Sequence, residues 1–341
     1  MPSNIISARW WLAYPAALLM LAIADAGLGF WHPFPGRLPE QFSSAYLRLY
    51  LNDAPRDKPI VAFFGDSVIW GYKIRVQENA VSVLQRAIPK AEMLNLAYEG
   101  GSPPNSAILL RYVLRSHLRL SGIVIGVNVK EFSSLDSAYR TLHPSLERLS
   151  QPFLTPTDFR TLSAHLGTDL NARLGASVET VWRLYRLRTD LRERLFGTDD
   201  MGGALANLVQ RATGTAAAKQ RAHRPTADDF LGAYDVTPID SSNVGMQYYQ
   251  DFLRDVCRAR IPTVAFLTPT NHRLLHEYID TPEYRANLRR LAVAPHCNNV
   301  VILNLDTAVP YAHFIDNDHL DQIGQRVLAA RLKPYIRRML P

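Results

Sequence analysis

The feature that most constrains the fold is an apolar run, residues 60–64, which stops abruptly at Gly65-Asp66-Ser67. Its residues (Ile-Val-Ala-Phe-Phe) show no alternation with polar ones, which is typical of a strand buried on both faces in a parallel sheet. In open α/β sheets ligands bind at the carboxyl ends of strands, so Ser67 is a candidate functional residue. A helix N-cap is the alternative, because Ser and Asp are favoured there.

Similar apolar runs recur along the chain, separated by segments with helical spacing. We predict strands over residues 60–64, 91–97, 121–127, 261–267 and 300–305. We predict helices over residues 77–88, 106–117, 248–260, 283–294 and 322–340. This alternation predicts an α/β fold, with a parallel, doubly wound sheet of about five strands flanked by helices.

The alternation breaks in the middle of the chain, where the sequence is mainly helical or irregular. Residues 178–196 carry a leucine stripe and several arginines, which we interpret as a helix with a solvated face. Residues 201–229 are rich in Gly, Ala and Thr, a composition typical of a mobile loop. We therefore predict one domain over residues 58–341, with a helical insertion at about 133–245.

An apolar segment, residues 10–31, lies near the N-terminus and has about the length that spans a bilayer. Arg9 precedes it, as expected for the cytoplasmic side. We predict an N-terminal transmembrane helix within residues 1–31, followed by a linker and lead-in helix over residues 32–57. A cleaved signal peptide and a buried helix are the alternatives. An anchor or a signal peptide would make the remaining chain periplasmic or otherwise extracytoplasmic.

Composition and charge argue against several classes of protein. The net charge is +7, yet the arginines are scattered and no basic run is interleaved with aromatic residues, so we expect no nucleic-acid partner. Dispersed positive charge suits an anionic glycan or lipid surface better. We predict no metal and no cofactor, because no CxxC motif and no carboxylate cluster suggests a metal site. Cys257 and Cys297 are either a disulfide or two buried thiols.

Polar residues follow the predicted strands in a pattern that suggests nucleophilic catalysis. Ser67, Gly100 and Asn128 follow the first three strands, and Asp316 and His319 lie in a loop before the last helix. A serine hydroxyl needs a base within hydrogen-bond reach, and His319 can take its proton. Asp316, three residues earlier, can hold the imidazole in the required tautomer.

The same reaction needs hydrogen-bond donors for the oxyanion of its tetrahedral intermediate. The N–H groups of Ser67 and Gly100 and the side-chain amide of Asn128 are our candidates. Gly100 suits this position because a residue without Cβ lets the substrate approach the backbone closely. Asp318 is an alternative to Asp316 as the carboxylate partner of His319.

These residues resemble the signature of the GDSL or SGNH hydrolases, whose Ser, Gly, Asn and His each lie in a separate sequence block. Residues 65–67 (GDS) resemble the first block and residues 95–100 (NLAYEG) the second. Residues 126–128 (GVN) resemble the third block and residues 316–320 (DNDHL) the last. The family commonly has Asp after the Asn of the third block, whereas this chain has Val129.

The resemblance implies an SGNH-type serine esterase or O-acyltransferase that forms an acyl-enzyme. A membrane anchor before such a domain is similar to proteins that acetylate or deacetylate exported polysaccharides, or that serve D-alanylation of envelope polymers. The implied partners are an acylated glycan, the membrane through the N-terminal helix, and proteins of an envelope complex.

Some roles remain open at this point. Trp70 and Tyr72 either form the floor of a sugar site by stacking or pack in the core. The alternative to an enzyme is a catalytically weak scaffold component of a complex for polysaccharide modification or export. Val129 and the long insertion motivate this alternative, while the joint presence of Ser67, Asp316 and His319 argues against it.

Overall fold

The structure is a computed structural model, and it describes only part of the chain. The described residues are 5–30, 36–39, 42, 44–133, 141–143, 145–146, 149, 158, 226–230, 232–234, 237–293 and 295–341. The predicted helix over residues 178–196 lies outside them. The predicted loop over residues 201–229 also lies outside them, apart from its last residues, where a 3-10 helix spans Ala227–Phe230.

The described part of the chain contains one sheet of five parallel strands, which confirms the predicted fold class. The strands are β1 (Ile60–Phe64), β2 (Glu92–Asn95), β3 (Leu120–Val127), β4 (Thr263–Leu267) and β5 (Val300–Asn304). Their order across the sheet is β2-β1-β3-β4-β5. Because the chain reverses direction across the sheet after β2, a topological switch point lies between β1 and β3, where sheets of this kind bind ligands.

Helices connect the strands and precede the sheet. They are α1 (Ile5–Phe30), α2 (Ser44–Asn52), α3 (Ser67–Trp70), α4 (Ala80–Ala87), α5 (Pro103–Leu114), α6 (Val244–Ala259), α7 (His272–Ile279), α8 (Pro282–Leu291) and α9 (Gln322–Met339). Short 3-10 helices span Val76–Glu78, Val129–Phe132 and Tyr311–His313. Two pairs of neighbouring helices, α5 with α6 and α4 with α9, pack together.

Helices cover both faces of the sheet. The ring of Phe64 on β1 meets that of Phe252 on α6 edge to face, with centroids 5.3 Å apart. On β3, a Cβ at Gly122 would meet Met339 of α9 at 2.5 Å. Ile125 pairs with Phe64 in register and lies three residues from Gly122. Since side chains alternate along a strand, α6 and α9 lie on opposite faces.

The start of α5 and the presence of α7 differ from the predictions for reasons of local chemistry. The predicted loop before residue 106 instead contains the start of α5, because Pro103 and Pro104 occupy its first turn, where their missing N–H groups cost nothing. Helix α7 was not predicted. It begins after Asn271, whose side chain accepts a hydrogen bond from the Leu274 N–H as an N-cap.

The N-terminal apolar segment is helical, and several of its side chains, including Leu18, Leu19 and Met20, are exposed. Among the residues that the structure describes, no helix is both long and apolar enough to cross a membrane. The predicted transmembrane anchor is therefore not confirmed. The lead-in helix α2 packs into the domain core, where Tyr46, Leu47 and Tyr50 are buried.

A disulfide joins Cys257 on α6 to Cys297, which precedes β5. The pairing decides between the alternatives that the sequence left open. It ties the helix before β4 to the turn before the neighbouring strand β5.

Gly101 fits tightly against the end of β1, which leads to a stability prediction. A Cβ at Gly101 would lie 2.3 Å from the backbone oxygen of Gly65, whereas a Cβ at Gly100 would meet nothing within 4 Å. We expect Gly101→Ala to lower the free energy of unfolding by about 3 kcal/mol through overpacking. Gly100→Ala should cost about 1 kcal/mol, because φ of +75° places an L-residue in the left-handed region.

Urea unfolding of both variants checks this prediction. A loss at Gly101 no larger than that at Gly100 would contradict it.

Candidate active site

Ser67 is the first residue of α3, immediately beyond β1. Gly65 makes the turn with φ of +139°, in a space where a Cβ would lie 3.1 Å from the oxygen of Gly126. Asp66 is the N-cap of α3, since its side chain accepts a hydrogen bond of 3.0 Å from the Val68 N–H. The helix N-cap, which was the alternative role for Ser67, is therefore Asp66. The Ser67 hydroxyl remains available to another partner.

That partner is His319, and the structure brings the predicted catalytic side chains together. The Ser67 Oγ lies 2.8 Å from His319 Nε2. On the other side of the ring, His319 Nδ1 lies 2.8 Å from both carboxylate oxygens of Asp316. With the Nδ1 hydrogen donated to Asp316, Nε2 is the nitrogen that accepts from the serine hydroxyl. This is the arrangement that a nucleophile, a general base and an orienting carboxylate require.

The loop that carries His319 is fixed at several points. Phe314 and Leu320 form an antiparallel bridge at its base. The amide of Asn271, at the end of β4, donates a hydrogen bond of 2.8 Å to the backbone oxygen of Asp316. Asn271 therefore caps α7 and also holds the histidine loop, so the segment that follows β4, residues 268–271, is connected to the site.

The environment favours the charged forms of the acid and the base. Burial lowers the pKa of His319, but its hydrogen bond with Asp316 and the charges of Asp318 and Asp316 outweigh burial and raise it. Burial raises the pKa of Asp316, but hydrogen bonds from the His319 side chain and backbone outweigh this and lower it. The carboxylate is thus ionised when the imidazole accepts a proton, as the mechanism requires.

Two backbone groups are placed to serve an oxyanion. In the described part of the chain, the N–H groups of Ser67 and Gly100 donate to no protein acceptor. Ser67 also lies at the N-terminus of α3, where the helix leaves N–H groups unpaired. Open space faces Gly100, so a substrate carbonyl has access to its backbone.

The structure places Asn128 differently from the prediction. The side chain is fully buried, and its Nδ2 donates to Asp66 Oδ2 at 2.8 Å and to Asp318 Oδ2 at 2.6 Å. An amide nitrogen carries two hydrogens, so this pairing leaves none for an oxyanion. The sequence prediction placed Asn128 at the correct strand end, but it did not include the two carboxylates that bind its amide.

The buried charges around Asn128 were largely missed from the sequence. Lys130 forms an ion pair with Asp318 Oδ2. Burial and the nearby charge of Asp66 raise the pKa of Glu131 well above its usual range, which favours its neutral form, and its side chain shares a hydrogen bond with Asp66. The only sequence signal was the polar pair 130–131 directly after a buried strand, which resembles an ordinary turn.

Trp70 and Tyr72 have different surroundings. Trp70 is only 4% exposed, its Nε1 donates to the Leu38 backbone oxygen, and the Arg37 guanidinium lies 3.7 Å from its ring centroid. A sugar cannot reach this ring, so the prediction of a stacking role for Trp70 is wrong. Tyr72 is partly exposed, and its ring centroid lies 4.4 Å from that of His319.

The potential ligands for a metal ion also lie in this loop. Asp316, Asp318 and His319 each place one ligand atom within 4.8 Å of the others. Asp316 and His319 already hydrogen-bond to each other, and the ammonium of Lys130 on Asp318 opposes a second cation. The arrangement is explained by the serine chemistry without a metal.

No protein-family model matches the chain, and no curated protein matches it. Among solved structures, it is similar to a lipolytic protein of the G-D-S-L family from Desulfitobacterium hafniense, with 9% identity, 83% of this chain and 100% of that chain covered, and a TM-score of 0.37. It is also similar to a protein of the same G-D-S-L family from Veillonella parvula, with 10% identity, 82% of this chain and 98% of that chain covered, and a TM-score of 0.39. A third similar structure is a family two carbohydrate esterase from Clostridium thermocellum in complex with cellohexaose, with 12% identity, 84% of this chain and 66% of that chain covered, and a TM-score of 0.32.

The structural neighbours thus include GDSL lipolytic proteins and a carbohydrate esterase. A likeness at these identities and TM-scores says nothing of this chain's reaction, which has to be derived from the site itself.

The raised pKa of His319 leads to a prediction about pH dependence. The neutral imidazole is the active base, and it dominates only above the folded-state pKa, which lies above the ordinary 6.5. We therefore expect the rate at which a fluorophosphonate labels Ser67 to rise with pH, with a midpoint above 6.5. Mass spectrometry of the labelled peptide, with His319→Gln as the unreactive control, measures this rate. A midpoint below 6 would contradict the prediction.

Proposed function

We propose that this chain is an SGNH-type serine esterase or O-acyltransferase that cleaves acyl esters through a serine acyl-enzyme. The observation that carries the proposal is the continuous alignment of Ser67, His319 and Asp316 through contacts of 2.8 Å. This alignment joins residues far apart in sequence, and a scaffold protein has no need of it.

The geometry suggests how the reaction proceeds. Ser67 Oγ attacks the ester carbonyl while its proton passes to His319 Nε2. The carbonyl oxygen gains negative charge and is stabilised by the N–H groups of Ser67 and Gly100. His319 then gives the proton to the leaving alcohol, and the carbonyl re-forms as an acyl ester of Ser67. Water, or the hydroxyl of an acceptor, attacks this ester in the second half of the reaction with the same base.

The shape of the site favours a small acyl group such as acetyl. Ser67 is 7% exposed, and the side chains of His319 and Asp316 are 13% and 12% exposed. Such a recessed nucleophile suits a short acyl chain better than a long one. Beside it lies the partly exposed ring of Tyr72, with the Lys73 ammonium 4.8 Å from its centroid, and this ring edge is the proposed contact for a sugar. An acetylated glycan is therefore the proposed substrate.

The proposed location is outside the cytoplasm. Disulfides persist mainly in oxidising compartments, and Cys257 pairs with Cys297. We propose that residues 1–31 act as the targeting segment, retained as a membrane anchor or cleaved as a signal peptide. Proteins of an envelope complex are proposed as partners, which would supply or receive the acyl group if the enzyme is a transferase.

Ser67→Ala tests the proposed nucleophile directly. We expect it to lower acetate release from 4-nitrophenyl acetate and from an acetylated glycan by at least about 10²–10³-fold, because the hydroxyl that hydrogen-bonds to His319 is removed. The full chain is assayed in detergent, with the exposed Ser241→Ala as the matched control.

The outcomes of this experiment separate the candidate functions. Equal activity of the wild type and Ser67→Ala would refute the nucleophile. If the wild type is labelled at Ser67 by acetyl from an activated donor, and the label leaves Ser67 only when a glycan acceptor is added and is then found as an acetyl ester of that glycan, the enzyme is a transferase. If Ser67 is neither acylated nor labelled by a fluorophosphonate, the scaffold alternative is favoured.

The disulfide provides a test of the location. In protein exported to an oxidising compartment, we expect both cysteines to resist maleimide alkylation until a reductant is added. The Cys257→Ser/Cys297→Ser double variant should lose about 4 kcal/mol of stability to urea, from the chain entropy of a loop of 40 residues. Complete alkylation of the native protein without reductant would contradict the proposal. The mass of the mature N-terminus shows whether residues 1–31 are retained.

A further inference from the structure

A buried carboxylate, Asp318, lies directly beneath the catalytic histidine. It is fully buried, and its Oδ2 accepts a hydrogen bond from Asn128 and pairs with Lys130. Its Oδ1 lies 3.4 Å from His319 Nδ1. Within the described part of the chain, Oδ1 has no hydrogen-bond partner. Two carboxylates therefore lie beside Nδ1 of His319, and only that of Asp316 holds it by a short hydrogen bond.

Asp318 also closes a ring of contacts around the reacting atoms. Asn128 donates one amide hydrogen to Asp318, the residue before His319, and the other to Asp66, the residue before Ser67. The contact between Ser67 and His319 completes the ring. The non-covalent links of this ring are Asn128 to Asp66 at 2.8 Å, Asn128 to Asp318 at 2.6 Å, and Ser67 to His319 at 2.8 Å. The nucleophile turn and the histidine loop are therefore joined by Asn128 as well as by their reactive contact.

We propose that Asp318 is a positioning residue, which holds His319 against Ser67 through Asn128 and Asp66 and places a second negative charge under the imidazole. This inference rests on the proposed serine chemistry and extends it. In this arrangement, Asn128 bridges the carboxylates of Asp66 and Asp318, and the ammonium of Lys130 balances the charge of Asp318.

The proposal depends on the charges that face His319. A second carboxylate stabilises the imidazolium that forms when Ser67 attacks, and a cation opposes it. Accordingly, the charge of Asp318 raises the pKa of His319 and that of Lys130 lowers it. The groups around the imidazole come from each neighbouring element: Asp316 and Asp318 on its own loop, Lys130 and Glu131 after β3, Asp66 before α3, and Tyr72 after α3.

The ion pair between Asp318 and Lys130 offers a test in which two variants should act in opposite directions. Asp318→Asn keeps the shape but removes the negative charge, and it should lower the pKa of His319 by about one unit. Lys130→Met removes the positive charge and should raise the pKa of His319. The exposed Asp57→Asn is the matched control and should leave it unchanged. NMR titration of the full chain labelled at histidine nitrogen, with His319 assigned from His319→Gln, measures all four proteins.

A kinetic measurement accompanies the titration. We expect Asp318→Asn to lower kcat for 4-nitrophenyl acetate about tenfold with little change in KM, because the base is weaker and less firmly held. The midpoint of fluorophosphonate labelling should move to lower pH in Asp318→Asn and to higher pH in Lys130→Met. Thermal unfolding of each variant shows whether it is folded.

The possible results are distinguishable. A lower pKa of His319 in Asp318→Asn together with a higher pKa in Lys130→Met supports the proposal. Shifts in the same direction, or none in folded protein, overturn it. If Asp318→Asn does not fold, the His319 pKa in Lys130→Met alone tests the proposal. An unchanged or lowered His319 pKa in that variant overturns it. The titration needs no turnover, so it remains informative if the wild type cleaves no ester, an outcome that would count against the proposed function instead.

Discussion

The rest of the site depends on one hydrogen bond, between Ser67 and His319, whose ends lie 252 residues apart in sequence. The sheet brings these ends to one edge, and Gln325 on α9 then fixes their relative position. Its Nε2 donates to the backbone oxygen of Val68 on α3, and its Oε1 accepts from the Ala80 N–H on α4, both at 2.9 Å. The helix that follows the histidine loop is thus tied to the helix that carries the serine.

The polar groups behind this contact are held by one another. Transfer of a charge into a protein interior is costly unless partners compensate for lost water. Here Asn128 donates to both Asp66 and Asp318, Lys130 balances one carboxylate, and burial favours the neutral form of Glu131. Polar groups that are linked in this way have few alternative arrangements, so the network helps to fix the geometry of the site.

The sequence predicted what is local and repetitive, and it failed where a residue's role depends on distant partners. Strand β1 and the polar residues at its end follow from an apolar run and a glycine turn, and Asp316 and His319 follow from their spacing of three. In contrast, Trp70 is buried because Arg37, from far upstream, lies against its ring. Periodicity carries no information about such a contact. Likewise, nothing local to Asn128 shows that carboxylates from two separate loops occupy its amide.

The sequence after Asn128 and the geometry of the site agree with each other. Asn128 is followed by Val129, which is buried, and by Lys130, which reaches Asp318. The carboxylates around Asn128 thus come from the nucleophile turn and the histidine loop instead of from its own strand end. With its amide engaged there, the oxyanion is left to backbone donors at the start of α3 and at Gly100. Backbone donors are fixed by the fold itself, so in the proposed reaction the rigidity of these two turns takes the place of a side-chain donor to the oxyanion.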